Sequence, residues 1–143
     1  MKRHSIDECI LMDLGKHPSD RLGNLTVVES NNQLPFDIRR VFFIHDVPGG
    51  ENRGGHAHRE IKEFIVAAAG SFMVTVDDGK ERKTVMLNQP YRGLLVESGV
   101  WVTLHDFSSG AIALVLTSDH FSNADHIKDY KEFLRLANEN TLS

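Results

Sequence analysis

The chain has 143 residues, of which 41% are hydrophobic and 25% are charged, and its formal net charge is −4. The 16 lysines and arginines are scattered among 20 acidic residues without a basic stripe, which argues against a nucleic-acid-binding protein. The longest nearly apolar run, residues 64–69, is far shorter than the roughly 20 residues of a membrane span, and the N-terminus lacks the apolar segment of a secretory signal. We therefore expect one cytoplasmic domain over residues 1–143 that makes no membrane contact and binds a small molecule.

Short segments rich in β-branched and aromatic residues follow one another between about residues 8 and 118, separated by Gly, Asn, Asp and Pro. Ten strands are predicted, at residues 9–14, 25–29, 38–46, 55–60, 64–69, 72–77, 83–87, 93–97, 100–107 and 111–117. The turn Asp77-Asp78-Gly79 is typical of a β-hairpin, because glycine accepts the positive φ angles of tight turns. This rhythm predicts an all-β, double-sheet jelly roll.

A helical pattern replaces the strand pattern after residue 118. Apolar side chains recur at helical spacing at Ile127, Tyr130, Phe133 and Leu134. The pattern predicts one C-terminal helix over about residues 125–137 that packs one face against a sheet.

Two histidines stand in a glycine-rich segment with a characteristic spacing. Gly50, five residues, His56-x-His58, four residues, Glu63, six residues and Gly70 match the first consensus motif of the cupin jelly rolls. Residues two apart in a strand point to the same face, so His56 and His58 are predicted to project side by side into a cavity. Neutral imidazoles can bind a metal, whereas metal-free imidazoles titrate near neutrality and can move protons.

The second cupin motif, which usually supplies a further histidine ligand, is degraded in this chain. The corresponding segment, residues 93–105, has Ser98 in place of the motif proline and Thr103 in place of its histidine. His105 would lie about 6 to 7 Å further along the strand than a residue at position 103. We therefore expect no tightly bound catalytic metal.

Alternation along the same strand predicts that Trp101, Thr103 and His105 share one face. We expect Trp101 to point inward and wall the pocket, with His105 near the cavity mouth. Four other histidines are interpreted as surface or satisfied core residues, namely His4, His17, His120 and His126.

Several segments together resemble the sugar-nucleotide 3,4-ketoisomerases. They are PFDIRRVFFI at 35–44, RGGHAH at 53–58, DDG at 77–79, Trp101, DFSS at 106–109 and ADHIKDY at 124–130. The similarity spans residues 20–136. It implies a homodimeric β-sandwich enzyme that moves the keto group of a dTDP-4-keto-6-deoxyhexose from C4 to C3, without metal or redox cofactor, in deoxysugar and surface polysaccharide biosynthesis.

The resemblance also implies roles for individual residues. His58 is the candidate base at carbon and His56 the candidate proton shuttle between oxygens, although the reverse assignment stays open. Arg53 would stabilise enediolate charge or hold a phosphate oxygen. The remaining candidate substrate-binding residues are Arg40 and Phe42, which share a strand face, Trp101, His105, and Glu63, which either orients a histidine or forms a structural hydrogen bond.

The chain departs from the family at four positions. Many members have tyrosine in the pair matching Phe42 and Phe43, and histidine or glutamate where this chain has Val102 and Thr103. A lost hydroxyl or acid could remove a substrate hydrogen bond, change the stereochemistry at C4 or abolish activity.

Two alternative functions remain open. A relative of the dTDP-sugar 3,5-epimerases would pair a histidine base with a tyrosine acid, for which this chain offers only Tyr91 and Tyr130. A non-catalytic sugar-nucleotide-binding or metal-binding cupin would keep the histidines without the isomerisation.

Overall fold

A computed structural model describes residues 1–142, and their side chains as far as residue 139. A short 3-10 helix, Ile6–Glu8, precedes twelve strands and one α-helix. The strands are β1 (Leu11–Asp13), β2 (His17–Ser19), β3 (Gly23–Leu25), β4 (Arg40–Ile44), β5 (Arg53–His58), β6 (Glu63–Ala69), β7 (Phe72–Asp77), β8 (Arg82–Leu87), β9 (Arg92–Val96), β10 (Trp101–His105), β11 (Ile112–Thr117) and β12 (His126–Ile127), followed by α1 (Tyr130–Leu142).

Two five-stranded antiparallel sheets form the body of the fold. The first has the strand order β1-β9-β6-β11-β4, and the second has the order β12-β5-β10-β7-β8. One buried cluster takes side chains from both sheets, among them Ile65, Val74, Val102 and Val115, so the core lies between the sheets. The predicted all-β double-sheet jelly roll with one C-terminal helix is confirmed.

The outer faces of both sheets are also covered. Residues before β4, including Leu34 and Phe36, pack on Phe64 and Leu95 of the first sheet. On the second sheet, Phe133 of α1 packs against Ala57 and Ile127. Trp101 of β10 belongs to the same cluster, so the face of β10 that carries Trp101 is the one that packs against α1.

The hairpin β7–β8 confirms the turn predicted at residues 77–80. Val76 pairs with Lys83 and Asp77 pairs with Arg82 across it. Gly79 has a φ of +91°, in the region that glycine accepts without strain.

Two element predictions are wrong in detail. Residues 26–29 are not a strand, and β2 and β3 form a separate two-stranded sheet instead. The helix begins at Tyr130 and not near residue 125, because His126 and Ile127 pair with His58 and Ala57 of β5. Tertiary pairing therefore overrides the local helical pattern. None of the helices within residues 1–142 is both long and apolar enough to cross a membrane.

Candidate active site

A close approach of two strands positions the motif histidines. Gly54 of β5 has a φ of +85°, and a Cβ atom there would lie 3.0 Å from the carbonyl oxygen of Val102 on β10. The register between the strands shifts between Val102 and Thr103. Glycine therefore lets β5 bend against β10, which directs the following residues toward the space between the sheets.

That space holds a cavity of about 350 Å³. Its polar wall contains Asn52, Arg53, His56, Glu63 and His126. The apolar part is formed by side chains from both sheets, namely Phe42, Ile44, Ile65, Val102, Leu104 and Val115. A polar wall opposite an apolar one suits a ligand with both sugar and aromatic parts.

Three histidine rings form a cluster here, and two of them, His56 and His126, line the cavity. The ring centroids of His56 and His58 are 5.0 Å apart, so the predicted side-by-side arrangement is confirmed. His126 of β12 lies 4.5 Å from His56 and is stacked on His58 at 5.2 Å.

His58 is held in one orientation by Asp125. Its Nδ1 lies 2.9 Å from Asp125 Oδ2, and the other carboxylate oxygen accepts the backbone N–H of Glu60. An ionised carboxylate can only accept, so Nδ1 of His58 carries the proton and Nε2 presents its lone pair. The pair has the geometry of a histidine whose basic nitrogen is aimed by a carboxylate.

Glu63 is a buried carboxylate beneath the histidines, with 3% of its surface exposed. Its Oε1 lies 3.4 Å from His56 Nε2 and 3.6 Å from His58 Nε2. Burial is the largest influence on the pKa of Glu63 and would raise it, but the hydrogen bond from His56 and the charges of His58 and His126 together lower it. Glu63 is therefore ionised beside the imidazoles.

His126 is a site residue that the sequence analysis assigned to the surface or the core, and that interpretation is wrong. Its two ring nitrogens are buried and have no hydrogen-bond partner among the described residues. Burial, followed by electrostatic repulsion from the neighbouring imidazoles of His56 and His58, lowers the pKa of His126 to about 4. The sequence near His126 does not predict this position, because the pairing of β12 with β5 places the residue beside His58.

Two more of the residues singled out in the sequence, Phe42 and Arg53, line the cavity, and Arg40 contacts one of them. Phe42 lines the cavity, and the Arg40 guanidinium lies 4.5 Å from the centre of its ring. Phe121 covers the same guanidinium at 5.3 Å. Arg40 thus makes cation–π contacts with two aromatic rings, while Arg53 lines the cavity directly.

The expectation that Trp101 and His105 wall this cavity is wrong. Val102 and Leu104 occupy the inner face of β10, at 1% and 3% exposure, so alternation turns Trp101, Thr103 and His105 outward. Trp101 packs on Tyr130 and Phe133 of α1.

His105 has partners of its own on the outer face. Its Nε2 lies 2.7 Å from Thr75 Oγ1, and its Nδ1 lies 2.8 Å from Asp106 Oδ2. Both ring nitrogens are therefore used away from the cavity.

Fold and site together define a jelly-roll protein whose inner cavity carries a histidine and carboxylate cluster. The profile of the family described as FdtA: WxcM-like, C-terminal matches residues 7–138. The chain belongs to this family, and the resemblance to the 3,4-ketoisomerases is confirmed.

Three relatives illustrate the similarity. A TDP-4-oxo-6-deoxy-alpha-D-glucose-3,4-oxoisomerase of Aneurinibacillus thermoaerophilus is 40% identical over 114 residues, 80% of this chain and 82% of the relative. The crystal structure of a 3,4-ketoisomerase from Helicobacter canadensis has a TM-score of 0.88 and 34% identity, and covers 92% of this chain and 98% of its own. A mutant of the 3,4-ketoisomerase QdtA from Thermoanaerobacterium thermosaccharolyticum, crystallised with TDP-4-keto-6-deoxyglucose, has a TM-score of 0.90 and 30% identity, covering 94% and 97%.

Proposed function

We propose that this protein is a sugar-nucleotide 3,4-ketoisomerase that moves the keto group of a dTDP-4-keto-6-deoxyhexose from C4 to C3. The observation that carries the proposal is the connected cluster of His56, His58, Glu63 and Asp125, of which His56 and Glu63 line the cavity, in a chain 40% identical to an oxoisomerase of that class. The product would enter deoxysugar and surface polysaccharide biosynthesis.

His58 takes the proton from C3 of the sugar in the first step. Its Nδ1–H bond to Asp125 leaves Nε2 as the basic atom. The imidazolium that forms is flanked by two carboxylates, Asp125 and Glu63, which stabilise the positive charge. The C3–H electron pair becomes the C3–C4 double bond, and the carbonyl π electrons move to the oxygen on C4.

His56 moves the proton between the two sugar oxygens in the second step. It gives a proton to the oxygen on C4 and accepts one from the hydroxyl on C3. Return of the proton from His58 to C4 then leaves the carbonyl at C3, so protons and electrons balance without an external oxidant. Glu63, 3.4 Å from His56, orients the shuttling ring.

Arg53 and the aromatic wall bind the rest of the substrate. The permanent charge of Arg53 stabilises the enediolate or holds a phosphate oxygen at the cavity entrance. Phe42, stiffened by the Arg40 guanidinium on its ring, offers a flat apolar surface to thymine.

The placement of the tyrosines disfavours the epimerase alternative. That chemistry needs a tyrosine acid opposite the histidine base, but Tyr130 packs against Trp101 on the outer face of the second sheet. Tyr91 lies near the β1–β9 edge, where its carbonyl accepts the N–H of Leu14. Among the described residues that line the cavity, none is a tyrosine.

Proton exchange on the proposed substrate tests the assignment. The protein is incubated with dTDP-4-keto-6-deoxy-D-glucose in D₂O and followed by NMR. We expect deuterium at the exchanging carbons together with a new 3-keto product signal, and no loss of rate with a chelator. Exchange at C3 and C5 without a 3-keto product would indicate an epimerase, and binding without exchange would indicate a non-catalytic protein.

The homodimer and the cytoplasmic location expected from the sequence complete the proposal. Strand β4 lies at the edge of the first sheet, and its Val41 and Phe43 are 55% and 62% exposed. A second copy packed on this edge would bury both side chains and protect the free backbone groups. Light scattering should give about twice the monomer mass, and a monomer mass at micromolar concentration would contradict this part.

A further inference from the structure

Three polar side chains form a continuous chain of hydrogen bonds on the outer face of the second sheet. His105 Nδ1 lies 2.8 Å from Asp106 Oδ2, and His105 Nε2 lies 2.7 Å from Thr75 Oγ1. We propose that Thr75, His105 and Asp106 are a second catalytic site, in which Thr75 is the nucleophile for hydrolysis of small carboxylic esters of aromatic alcohols. This activity is separate from the proposed isomerisation and does not depend on it.

The acceptors in this chain of bonds fix the direction in which each hydrogen is donated. An ionised carboxylate can only accept, so Nδ1 of His105 carries the proton and Nε2 presents a lone pair. The Thr75 hydroxyl therefore donates to Nε2, and its oxygen accepts the hydroxyl hydrogen of Thr84, 2.8 Å away. A hydroxyl that donates to an imidazole held by a carboxylate has the arrangement of nucleophile, base and orienting acid found in covalent hydrolases.

The register of three strands explains why these residues meet. Thr103 of β10 lies opposite Thr75 of β7, and Thr75 in turn lies opposite Thr84 of β8. His105 follows Thr103 by two residues, so it shares the outer face and is the diagonal neighbour of Thr75, within reach of a long side chain. Asp106 directly follows β10 with a φ of +54°, a left-handed conformation that aspartate adopts more readily than most residues.

A second pair of histidine and aspartate shows what the threonine adds. His45 and Asp46 directly follow β4, the φ of Asp46 is +58°, and His45 Nδ1 lies 2.7 Å from Asp46 Oδ2. This local geometry matches that of His105 and Asp106, but among the described residues no hydroxyl is hydrogen-bonded to Nε2 of His45. The hydroxyl at the basic nitrogen therefore distinguishes His105 from His45.

Thr75 also lines a small pocket of about 260 Å³ on the outer face. Trp101 and Tyr130 give this pocket an aromatic wall, which suits an aryl group. Arg82 adds a permanent positive charge to the same pocket, for the oxygen of an ester carbonyl as negative charge develops on it. The volume is small compared with that of most ligand pockets, so the substrate is limited to a short acyl group.

The proposed hydrolysis has two steps. In the first, Thr75 Oγ1 bonds to the ester carbonyl carbon, its proton passes to Nε2 of His105, and the carbonyl π electrons move to oxygen. Those electrons return as the bond to the alcohol oxygen breaks, and the alcohol leaves with the proton from His105. In the second step, water attacks the acyl group with His105 as base, which restores the Thr75 hydroxyl and releases the carboxylic acid. Ester and water thus become acid and alcohol, without an oxidant or reductant.

Hydrolysis of p-nitrophenyl acetate by the full chain tests the site without a sugar nucleotide, so its outcome is independent of the isomerase proposal. We expect release of p-nitrophenolate, and mass spectrometry of acid-quenched protein should find an acetyl group on Thr75. His105→Asn should lower the rate about 100-fold or more. Thr75→Val removes the hydroxyl at nearly constant volume and should lower the rate as much, with no further loss in the double variant, because the two residues act as a unit. Thr75→Ser keeps the hydroxyl and should keep the activity.

His45→Asn is the matched control, because it breaks the other pair of histidine and aspartate that follows a strand. Its rate should equal that of the wild type, and circular dichroism checks that each variant is folded. The site would be refuted if the wild type is no faster than His105→Asn, if Thr75→Val is as fast as the wild type, or if the acetyl group is found only on other residues.

Discussion

Two polar clusters lie on opposite sides of the second sheet, the inner one between the two sheets, and they differ in how completely their groups are paired. On the outer face, Asp77 Oδ2 accepts from the Tyr130 hydroxyl at 2.6 Å and from Arg82 Nε at 3.0 Å, while Oδ1 accepts the N–H of Gly79. On the inner face, one carboxylate oxygen of Glu63 is shared by two histidines, and the His126 nitrogens are unpaired among the described residues.

This difference agrees with a structural role for the outer cluster and with the functional role proposed for the inner one. On the outer face, the hydrogen bonds of Asp77 to Tyr130 and Arg82 join α1 to β7 and β8. These groups already have hydrogen-bond partners, so they do not need a ligand. Buried groups without partners cost stability, and a protein retains them where a ligand or a reaction uses them. We therefore expect inner substitutions to reduce activity and outer ones to reduce stability.

The largest effect is expected at His58. His58→Asn removes the proposed base at carbon, and loss of general base catalysis lowers kcat about 100-fold or more. Steady-state kinetics measure the loss, while calorimetry with dTDP should give near wild-type binding. His17→Asn, an exposed histidine on β2, is the control. Near-normal turnover of His58→Asn would remove His58 from the mechanism.

Arg53→Ala comes next and tests the wall of the same cavity. The guanidinium is proposed to serve the bound substrate and the enediolate alike, so KM should rise and kcat should fall, each by roughly 10-fold. Arg39→Ala is the matched control, because it removes a positive charge from the partly exposed segment before β4. Its KM and kcat should equal those of the wild type. Unchanged constants for Arg53→Ala would make it a surface charge.

Tyr130→Phe tests the outer cluster. It removes the hydroxyl that donates to Asp77, and loss of one such bond should lower the free energy of unfolding by about 1 kcal/mol. The kcat should stay at the wild-type value, because Tyr130 does not line the cavity. Urea denaturation and kinetics are the measurements, with Tyr91→Phe as the control. A large loss of kcat at unchanged stability would contradict the division between the faces.

Asp78 gives a smaller, pH-dependent effect on stability. Burial is the largest influence on its pKa and would raise it, but hydrogen bonds from the N–H groups of Glu81, Ile6 and Lys80 together lower it. A carboxyl whose pKa is lower in the folded chain stabilises the fold above its unfolded pKa of about 3.9. That contribution is lost as the pH falls through the folded value.

Asp78→Asn should therefore be less stable than wild type at neutral pH, and the difference should shrink in acid. Denaturation curves from pH 7 to pH 2.5 measure it, with the exposed Asp37→Asn as control. A difference that is constant with pH would show that the charge of Asp78 is not what docks the N-terminal 3-10 helix.

The smallest effect is expected at His105. Its nitrogens contact Thr75 and Asp106 on the outer face, so His105→Ala should leave kcat close to the wild-type value. Steady-state kinetics should compare this variant with His56→Asn, which we expect to lose most of its kcat because it removes a histidine of the first motif. A loss at His105 as large as at His56 would mean that the reaction does not take place in the inner cavity.

The sequence by itself determined the local parts of this protein. Strand alternation placed His56 beside His58, and the spacing to Glu63 was already diagnostic. These arrangements depend on residues close together in one chain segment, where backbone geometry alone sets the relative position of side chains.

The tertiary structure alone decided which face of β10 is inner and what completes the histidine cluster. Strand alternation puts Trp101 and His105 on the same face of β10, but it does not determine which face is buried in the core. The packing of Trp101 against Phe133 of α1 places that face on the outside of the sheet. Asp125 and His126 reach the site because β12 pairs with β5. A strand of two residues is too short to have a periodicity, so only this long-range pairing could place them there.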